Sequence, residues 1–238
     1  GLFGILVQRI FVLQIINGEE YMDNYTLRIQ KERVTSGTRG SIYDRNGKLL
    51  AYNELSYSVT IEDNGIYESN RQKNKMLNQE LNTVIHMIED KGDSITNTFG
   101  IQKNESGVYD FVVSGQALKR FLADVYGHNK TDELKYNKKL GYNEGSAKPE
   151  QVMEYLQGKF AIYVEGREYK EKIEGEPDFY TEEEAYKIMI LRYAISQNSF
   201  QRYVLTTIAQ NVSEETVAVI KENSENLQGI DVVEDSIR

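Results

Sequence analysis

The sequence predicts an α+β fold, in which a β-rich base carries an inserted, mainly helical head and follows an N-terminal apolar helix. Three observations lead to this prediction. Strand-like segments occur near residue 60 and again after residue 203. Between them, apolar residues recur with the 3.6-residue period of amphipathic helices. The first sixteen residues, by contrast, are apolar with little interruption.

The N-terminal segment reads GLFGILVQRIFVLQII, and eleven of its sixteen residues are Leu, Ile, Val or Phe. As a helix it would extend about 24 Å, which is shorter than the roughly 30 Å hydrocarbon core of a bilayer. We interpret residues 1–20 as the outer end of a membrane anchor that begins before this sequence. A buried core helix is the alternative that the apolar pattern leaves open.

Residues 21–63 are predicted to form the first part of the β-rich base. Asn46-Gly47 lies between two short apolar segments and predicts a two-residue type I′ hairpin, because both residues tolerate the positive φ that this turn requires. Tyr57–Ile61 alternates with period two and predicts a further strand.

Residues 200–238 are predicted to complete the base. The segments 203–208 and 229–233 have the character of strands, and Ser213 is placed to cap a helix between them.

Residues 64–199 are predicted to form the helical head. Thr181 and Glu184 form a capping-box pattern, in which each side chain accepts a hydrogen bond from the other residue's backbone N–H. The polar stretches 128–148 and 165–180 predict exposed loops. Apolar residues at helical spacing predict four helices, around residues 77–88, 118–125, 152–156 and 185–193.

Composition excludes several kinds of site. The chain has no Cys and two His, which excludes disulfides, thiolate metal sites and cysteine nucleophiles. Its net charge of −9 argues against a nucleic-acid partner, since phosphate contacts need a basic face. Neither glycine-rich phosphate-binding pattern, G-x-x-x-x-G-K-[ST] or G-x-G-x-x-G, occurs. We therefore expect no cofactor and no metal, and we interpret the acidic stretch 174–184 as a solvated surface.

One segment is more specific. Residues 39–51 read RGSIYDRNGKLLA and resemble the R-G-x-I-x-D-R-N-G-x-x-L-A signature of class B penicillin-binding proteins. Residues 13–21 (LQIINGEEY) are similar to the segment with which that family leaves the membrane. Residues 208–213 and 227–232 resemble the segment that leads to the family's R-x-Y step, whose arginine would be Arg238.

The catalytic motifs of that family are absent from the sequence. No serine has a lysine three residues later, and K-[ST]-G does not occur. The resemblance therefore implies that this chain is the family's non-catalytic N-terminal, or dimerisation, domain and is no enzyme. It implies that the full-length parent is a D,D-transpeptidase.

The resemblance also implies a setting. The domain would be a pedestal for peptidoglycan biosynthesis in cell-shape maintenance or cell division, held at the outer face of the cell membrane by a single span. The implied partners are its own transpeptidase domain, a polytopic glycan polymerase and other cell-wall synthesis proteins, with a homodimer as a further expectation.

Seven residues form the implied structural motif between domains, and all of them are Arg, Gly, Asp or Asn: Arg39, Gly40, Asp44, Arg45, Asn46, Gly47 and Arg238. A two-residue hairpin needs no acid at the position of Asp44. We therefore expect an ion pair from Asp44 to Arg39 or Arg238, with a solvated turn acid as the alternative.

A second hypothesis belongs to another functional class. The chain has 17 tyrosines, and an exposed groove of them would indicate a stand-alone extracytoplasmic module that binds glycan or protein. Tyrosines scattered along a sequence are more often half-buried packing residues. A third hypothesis, a carboxylate hydrolase, depends only on acids that any acidic chain contains.

Overall fold

The structure is a computed structural model that describes residues 42–51, 54–63, 65, 67–169, 177–198 and 204–237. The predicted apolar helix and the anchor segment 1–20 lie outside the described residues. Within the described part of the chain, no helix is long and apolar enough to cross a membrane. The chain divides between Ala51 and Tyr52 into two units, which are described separately.

The described part of the first unit is a small antiparallel hairpin. Its strands are β1 (Ile42–Tyr43) and β2 (Leu49–Ala51). The second unit mixes strands and helices, as an α+β fold requires. In chain order its elements are β3 (Glu54–Ile61), α1 (Asn70–Glu89), β4 (Ile101–Lys103), β5 (Tyr109–Phe111), α2 (Gly115–Tyr126), β6 (Tyr136–Asn137), β7 (Tyr142–Asn143), α3 (Pro149–Phe160), β8 (Tyr163–Val164), β9 (Phe179–Tyr180), α4 (Glu182–Gln197), β10 (Thr206–Ala209), α5 (Glu214–Glu222) and β11 (Ile230–Ile237).

The second unit contains an antiparallel sheet with the strand order β10-β3-β11. β11 pairs with β3 over its whole length, from Ile61 opposite Ile230 to Glu54 opposite Ile237. β10 pairs only with the last residues of β3. The sheet therefore joins the two ends of this unit across its inserted helices.

The helix starts follow the expected local chemistry. The Ser69 side chain accepts a hydrogen bond from the Gln72 N–H at the start of α1. The predicted capping box of α4 is confirmed, because the Glu184 carboxylate accepts from the Thr181 N–H at 2.8 Å and the Thr181 hydroxyl accepts in return. Ser213 caps α5. The buried apolar residues of α1 are those of the predicted stripe: Leu77, Leu81, Val84, Ile85 and Ile88.

The inserted region is less purely helical than expected. It contains three two-stranded ribbons, β4-β5, β6-β7 and β8-β9. The prediction that residues 128–148 form an exposed loop is wrong, because they contain the β6-β7 ribbon and the buried Glu144. His128 and Asn137 contact the Glu144 carboxylate at 2.7 and 2.8 Å. Burial opposes ionisation, but these hydrogen bonds outweigh it and hold the pKa of Glu144 below its usual range.

Helix α4 lies at the centre of the core. The sequence predicts one apolar face on it, yet buried residues occur all round this helix. Buried side chains of the sheet and of the helices form one continuous cluster, which includes Val59 and Ile61 of β3, Ile208 of β10 and Ile230 of β11. The proposed division of the chain into base and head stays a prediction, since both parts contribute to the same core.

Arg192 of α4 is the most unusual member of this core. It is 5% exposed, and its guanidinium donates to the Asn78 Oδ1 at 2.8 Å and to the side chain of Asn74. Its charge lies 4.9 Å from the centre of the Phe160 ring. Asn78 in turn donates to the carbonyls of Phe160 and Ala161, at 3.0 and 3.2 Å. Burial lowers the pKa of Arg192 to about 10, so the side chain stays charged at neutral pH.

We expect Arg192→Ala to lower the free energy of unfolding by about 2–4 kcal/mol, because it leaves a cavity and deprives buried amide oxygens of their donor. Arg167→Ala is the matched control. Its guanidinium is largely exposed, pairs with the exposed Glu182 at 2.8 Å and donates to the Gln157 Oε1 at 3.0 Å. Because this site is open to solvent, we expect a smaller loss of about 1 kcal/mol. Urea denaturation of both variants measures this, and equal losses would contradict the role of Arg192.

Candidate functional site: the hairpin of residues 42–51

The predicted motif residues that the structure describes all lie in the turn of this hairpin. Tyr43 stands opposite Leu49, so the connection contains residues 44–48 and not two residues. The Asp44 N–H donates to the Lys48 carbonyl at 2.8 Å, and the Gly47 N–H donates to the Asp44 carbonyl at 3.0 Å. The second of these bonds closes a four-residue β-turn from Asp44 to Gly47.

The predicted type I′ turn is wrong. Gly47 has a φ of +79°, whereas Asn46 is not among the described residues with positive φ. This is the pattern of a type I turn followed by a left-handed glycine, the geometry of hairpins with a glycine bulge. Gly47 supplies the left-handed residue without the steric cost that a Cβ would add.

The Asp44 carboxylate explains why this turn forms. Its Oδ1 accepts hydrogen bonds from the Asn46 and Lys48 N–H groups, both at 2.8 Å. Asp is favoured at the first position of a type I turn because its side chain can replace a missing backbone acceptor. The inference that turn geometry leaves the acid at position 44 unexplained is therefore wrong.

The same device occurs a second time, in the β4-β5 ribbon. The Oδ1 of Asn104 accepts from the Ser106 and Val108 N–H groups, both at 3.0 Å, and Gly107 has a φ of +77°. The neutral amide of Asn104 thus accepts the same two backbone hydrogen bonds in its turn as the carboxylate of Asp44 does. The turn needs a side-chain oxygen and a glycine three residues later, and it does not need a charge. The pattern [DN]-x-x-G was readable in both segments.

The strands of the hairpin carry apolar side chains that face solvent. The exposed fractions are 44% for Ile42, 59% for Tyr43, 44% for Leu49 and 62% for Leu50. A two-stranded hairpin is at best marginally stable in water without further packing. These four exposed apolar residues are together called the hairpin surface below.

The remaining predicted motif residues have different outcomes. Asp44 is half-buried, and Arg45, Asn46 and Gly47 are exposed. Arg39, Gly40 and Arg238 lie outside the described residues, so the ion pair expected for Asp44 stays a prediction.

The other kinds of site gain no support from the described residues. They contain no cluster of three His, Cys, Asp or Glu residues that could hold a metal ion. Seven of the described tyrosines pack against the core as partly buried residues: Tyr57, Tyr67, Tyr109, Tyr126, Tyr142, Tyr155 and Tyr186. The module that binds glycan or protein stays an alternative hypothesis.

Comparison with known proteins gives one family. The model described as "Penicillin-binding Protein dimerisation domain" matches residues 34–238. Among solved structures, penicillin-binding protein 2B from Streptococcus pneumoniae (strain 5204) is similar at 20% identity, with a TM-score of 0.35. That match covers 85% of this chain and 25% of the pneumococcal chain. Comparison with curated proteins finds no match.

Two variants distinguish the role of Asp44 as a hydrogen-bond acceptor in the turn from its role in an ion pair. We expect Asp44→Ala to remove hydrogen-exchange protection from the Asn46 and Lys48 amides, because it removes their acceptor. Asp44→Asn keeps an acceptor oxygen, as Asn104 does, and should preserve that protection. Loss of protection in both variants would show that the charge of Asp44 is needed as well, as an ion pair requires.

Proposed function

Because the chain belongs to the penicillin-binding protein dimerisation-domain family, and thus to cell-wall synthesis, we propose that it is the pedestal of a peptidoglycan transpeptidase. The observation that carries the proposal is the family match over residues 34–238. In this proposal the domain performs no chemistry. It holds a transpeptidase domain that belongs to the full-length parent, and the parent is therefore a D,D-transpeptidase in this proposal. The domain also contacts other proteins of cell-wall synthesis.

The hairpin surface supports this proposal. It lies inside the matched region, and its Tyr43 and Leu50 are more than half exposed. Covering exposed apolar side chains is favourable by roughly 25 cal/mol per Å². We propose that the transpeptidase domain of the parent covers this surface, which would also stabilise the hairpin itself.

A rigid support is what the positioning of an active site requires. The second unit has one continuous core, and its sheet ties residues 54–61 to residues 230–237. Holding reacting groups at a fixed place raises their effective concentration without new chemistry. We propose that the domain acts in this way, by fixing the height and orientation of the transpeptidase domain over the outer face of the cell membrane.

The remaining parts of the proposal follow from the family. They are a single membrane span before this domain, contacts with a polytopic glycan polymerase, and a homodimer as a further assembly. The ion pair from Asp44 to Arg39 or Arg238 belongs to the same proposal, as a brace at the junction with the absent domain.

The proposal is tested by comparing hydrogen exchange in this chain and in the full-length parent. We expect the amides of residues 42–51 to gain about tenfold protection or more in the parent, because docking covers the hairpin surface. The β4-β5 ribbon, which has the same turn, is the internal control and should not change. Unchanged exchange in the hairpin would refute docking by the transpeptidase domain.

The absence of catalysis is tested with a fluorescent penicillin on a denaturing gel. We expect no covalent label on this chain, because no serine has a lysine three residues later. The full-length parent should be labelled under the same conditions. A labelled band from the chain alone would overturn the non-catalytic assignment, and an unlabelled parent would overturn the transpeptidase assignment.

A further inference from the structure

A cleft of about 410 Å³ lies between α1 and the turn that follows α5. Its volume is within the range of small-ligand sites in proteins. One side is formed by α1 and the other by residues 223–228. The lining residues are two methionines, one leucine, a threonine, several amides and one acid: Met76, Gln79, Glu80, Thr83, Met87, Asn223, Asn226, Leu227 and Gln228.

Glu80 is the one charged residue of this lining, and it is incompletely paired. Its Oε1 is shielded from solvent and has no hydrogen-bond partner among the described residues. The carboxyl group accepts one hydrogen bond, from the backbone N–H of Gln228. Burial raises the pKa of Glu80 to about 7, and this hydrogen bond offsets only part of the effect.

A desolvated carboxylate without a charged partner is unfavourable, and a cationic donor is the partner that relieves it best. The last torsion of a glutamate is broad, so the carboxylate can reorient toward a donor that enters the cleft. Met76 and Met87 offer flexible apolar walls of the kind that suits an aliphatic chain. Asn226 and Gln228 also line the cleft, and a side-chain amide oxygen can accept a hydrogen bond from an ammonium group.

We propose that this cleft binds an aliphatic primary ammonium group, as carried by a lysine side chain of a partner polypeptide, with Glu80 as its counter-ion. The methionines contact the alkyl chain, and the amides complete the coordination of the ammonium. This site is separate in its residues from the hairpin surface, and it does not depend on the proposed pedestal function.

The proposal has a proton signature. Because burial raises the pKa of Glu80 to about 7, its carboxyl group is partly protonated near neutral pH in the absence of a bound cation. A bound ammonium favours the ionised carboxylate, so binding releases that proton and affinity rises as the pH increases from 6 to 8. No other lining residue titrates. Tyr67 is a neighbouring titratable group whose pKa is affected by the charge of Glu80. Burial and the nearby Asp63 also raise the pKa of Tyr67, and Asp63 forms an ion pair with Lys73.

The test is a titration with Nα-acetyl-lysine methylamide at low salt, followed by the NMR shifts of the Gln228 and Asn226 amides and by calorimetry. We expect saturable binding with a dissociation constant on the order of 1 mM. The norleucine derivative, which keeps the alkyl chain and lacks the ammonium, should bind about tenfold more weakly or not at all. Calorimetry in two buffers of different ionisation enthalpy should report net proton release on binding near pH 7.

Glu80→Gln is the diagnostic variant and keeps the shape of the side chain. We expect it to weaken binding by about tenfold or more and to abolish proton release. Glu222→Gln is the control, since Glu222 is exposed and adjacent to Asn223 but does not line the cleft. It should change affinity less than about twofold. Equal binding of the norleucine derivative, unchanged affinity in Glu80→Gln, or no saturable shift in the wild type would each overturn the proposal. If Glu80→Gln fails to fold, proton release by the wild type still tests whether Glu80 is the counter-ion, and binding without proton release would contradict it.

Discussion

The hydrogen bonding of one buried guanidinium constrains the packing of the helices in this protein. A charge removed from water must keep its donors satisfied, or the fold becomes unstable. Arg192 meets this requirement by binding Asn74 and Asn78 of α1 and by stacking on Phe160 of α3. Asn78 then binds the end of α3 as well. These contacts link the three helices α1, α3 and α4 to one another.

The sheet then gives this helical core a fixed relation to both ends of the second unit. β11 follows β3 along its whole length, so residues separated by more than 150 positions lie side by side. Because buried residues of the sheet and helices belong to one cluster, the helices cannot move freely on the sheet. Such a body is suited to support another domain, which is the role proposed for it.

Two kinds of residue in the string RGSIYDRNGKLLA have different roles in the hairpin of residues 42–51. Asp44 and Gly47 form a turn that also occurs at Asn104, in a segment of different sequence. The apolar side chains of the string, by contrast, are exposed: Ile42, Tyr43, Leu49 and Leu50. Turn formation accounts for the first set by local hydrogen bonding. Local hydrogen bonding does not explain the second set, which is the surface that we propose the transpeptidase domain covers.

The sequence by itself determined the features that depend on short-range chemistry. These are the apolar stripe of α1, the capping box at Thr181 and Glu184, the strand at residues 57–61 and the family, through the string at residues 39–51. Only the tertiary structure decided the burial of Arg192 and the cleft at Glu80, since the groups that meet there come from distant segments. The burial of Glu144 depends on how a polar stretch folds back on itself, which its composition does not show. A period of apolar residues reports which face of a helix is buried, but it contains no information on which polar group will find a partner inside.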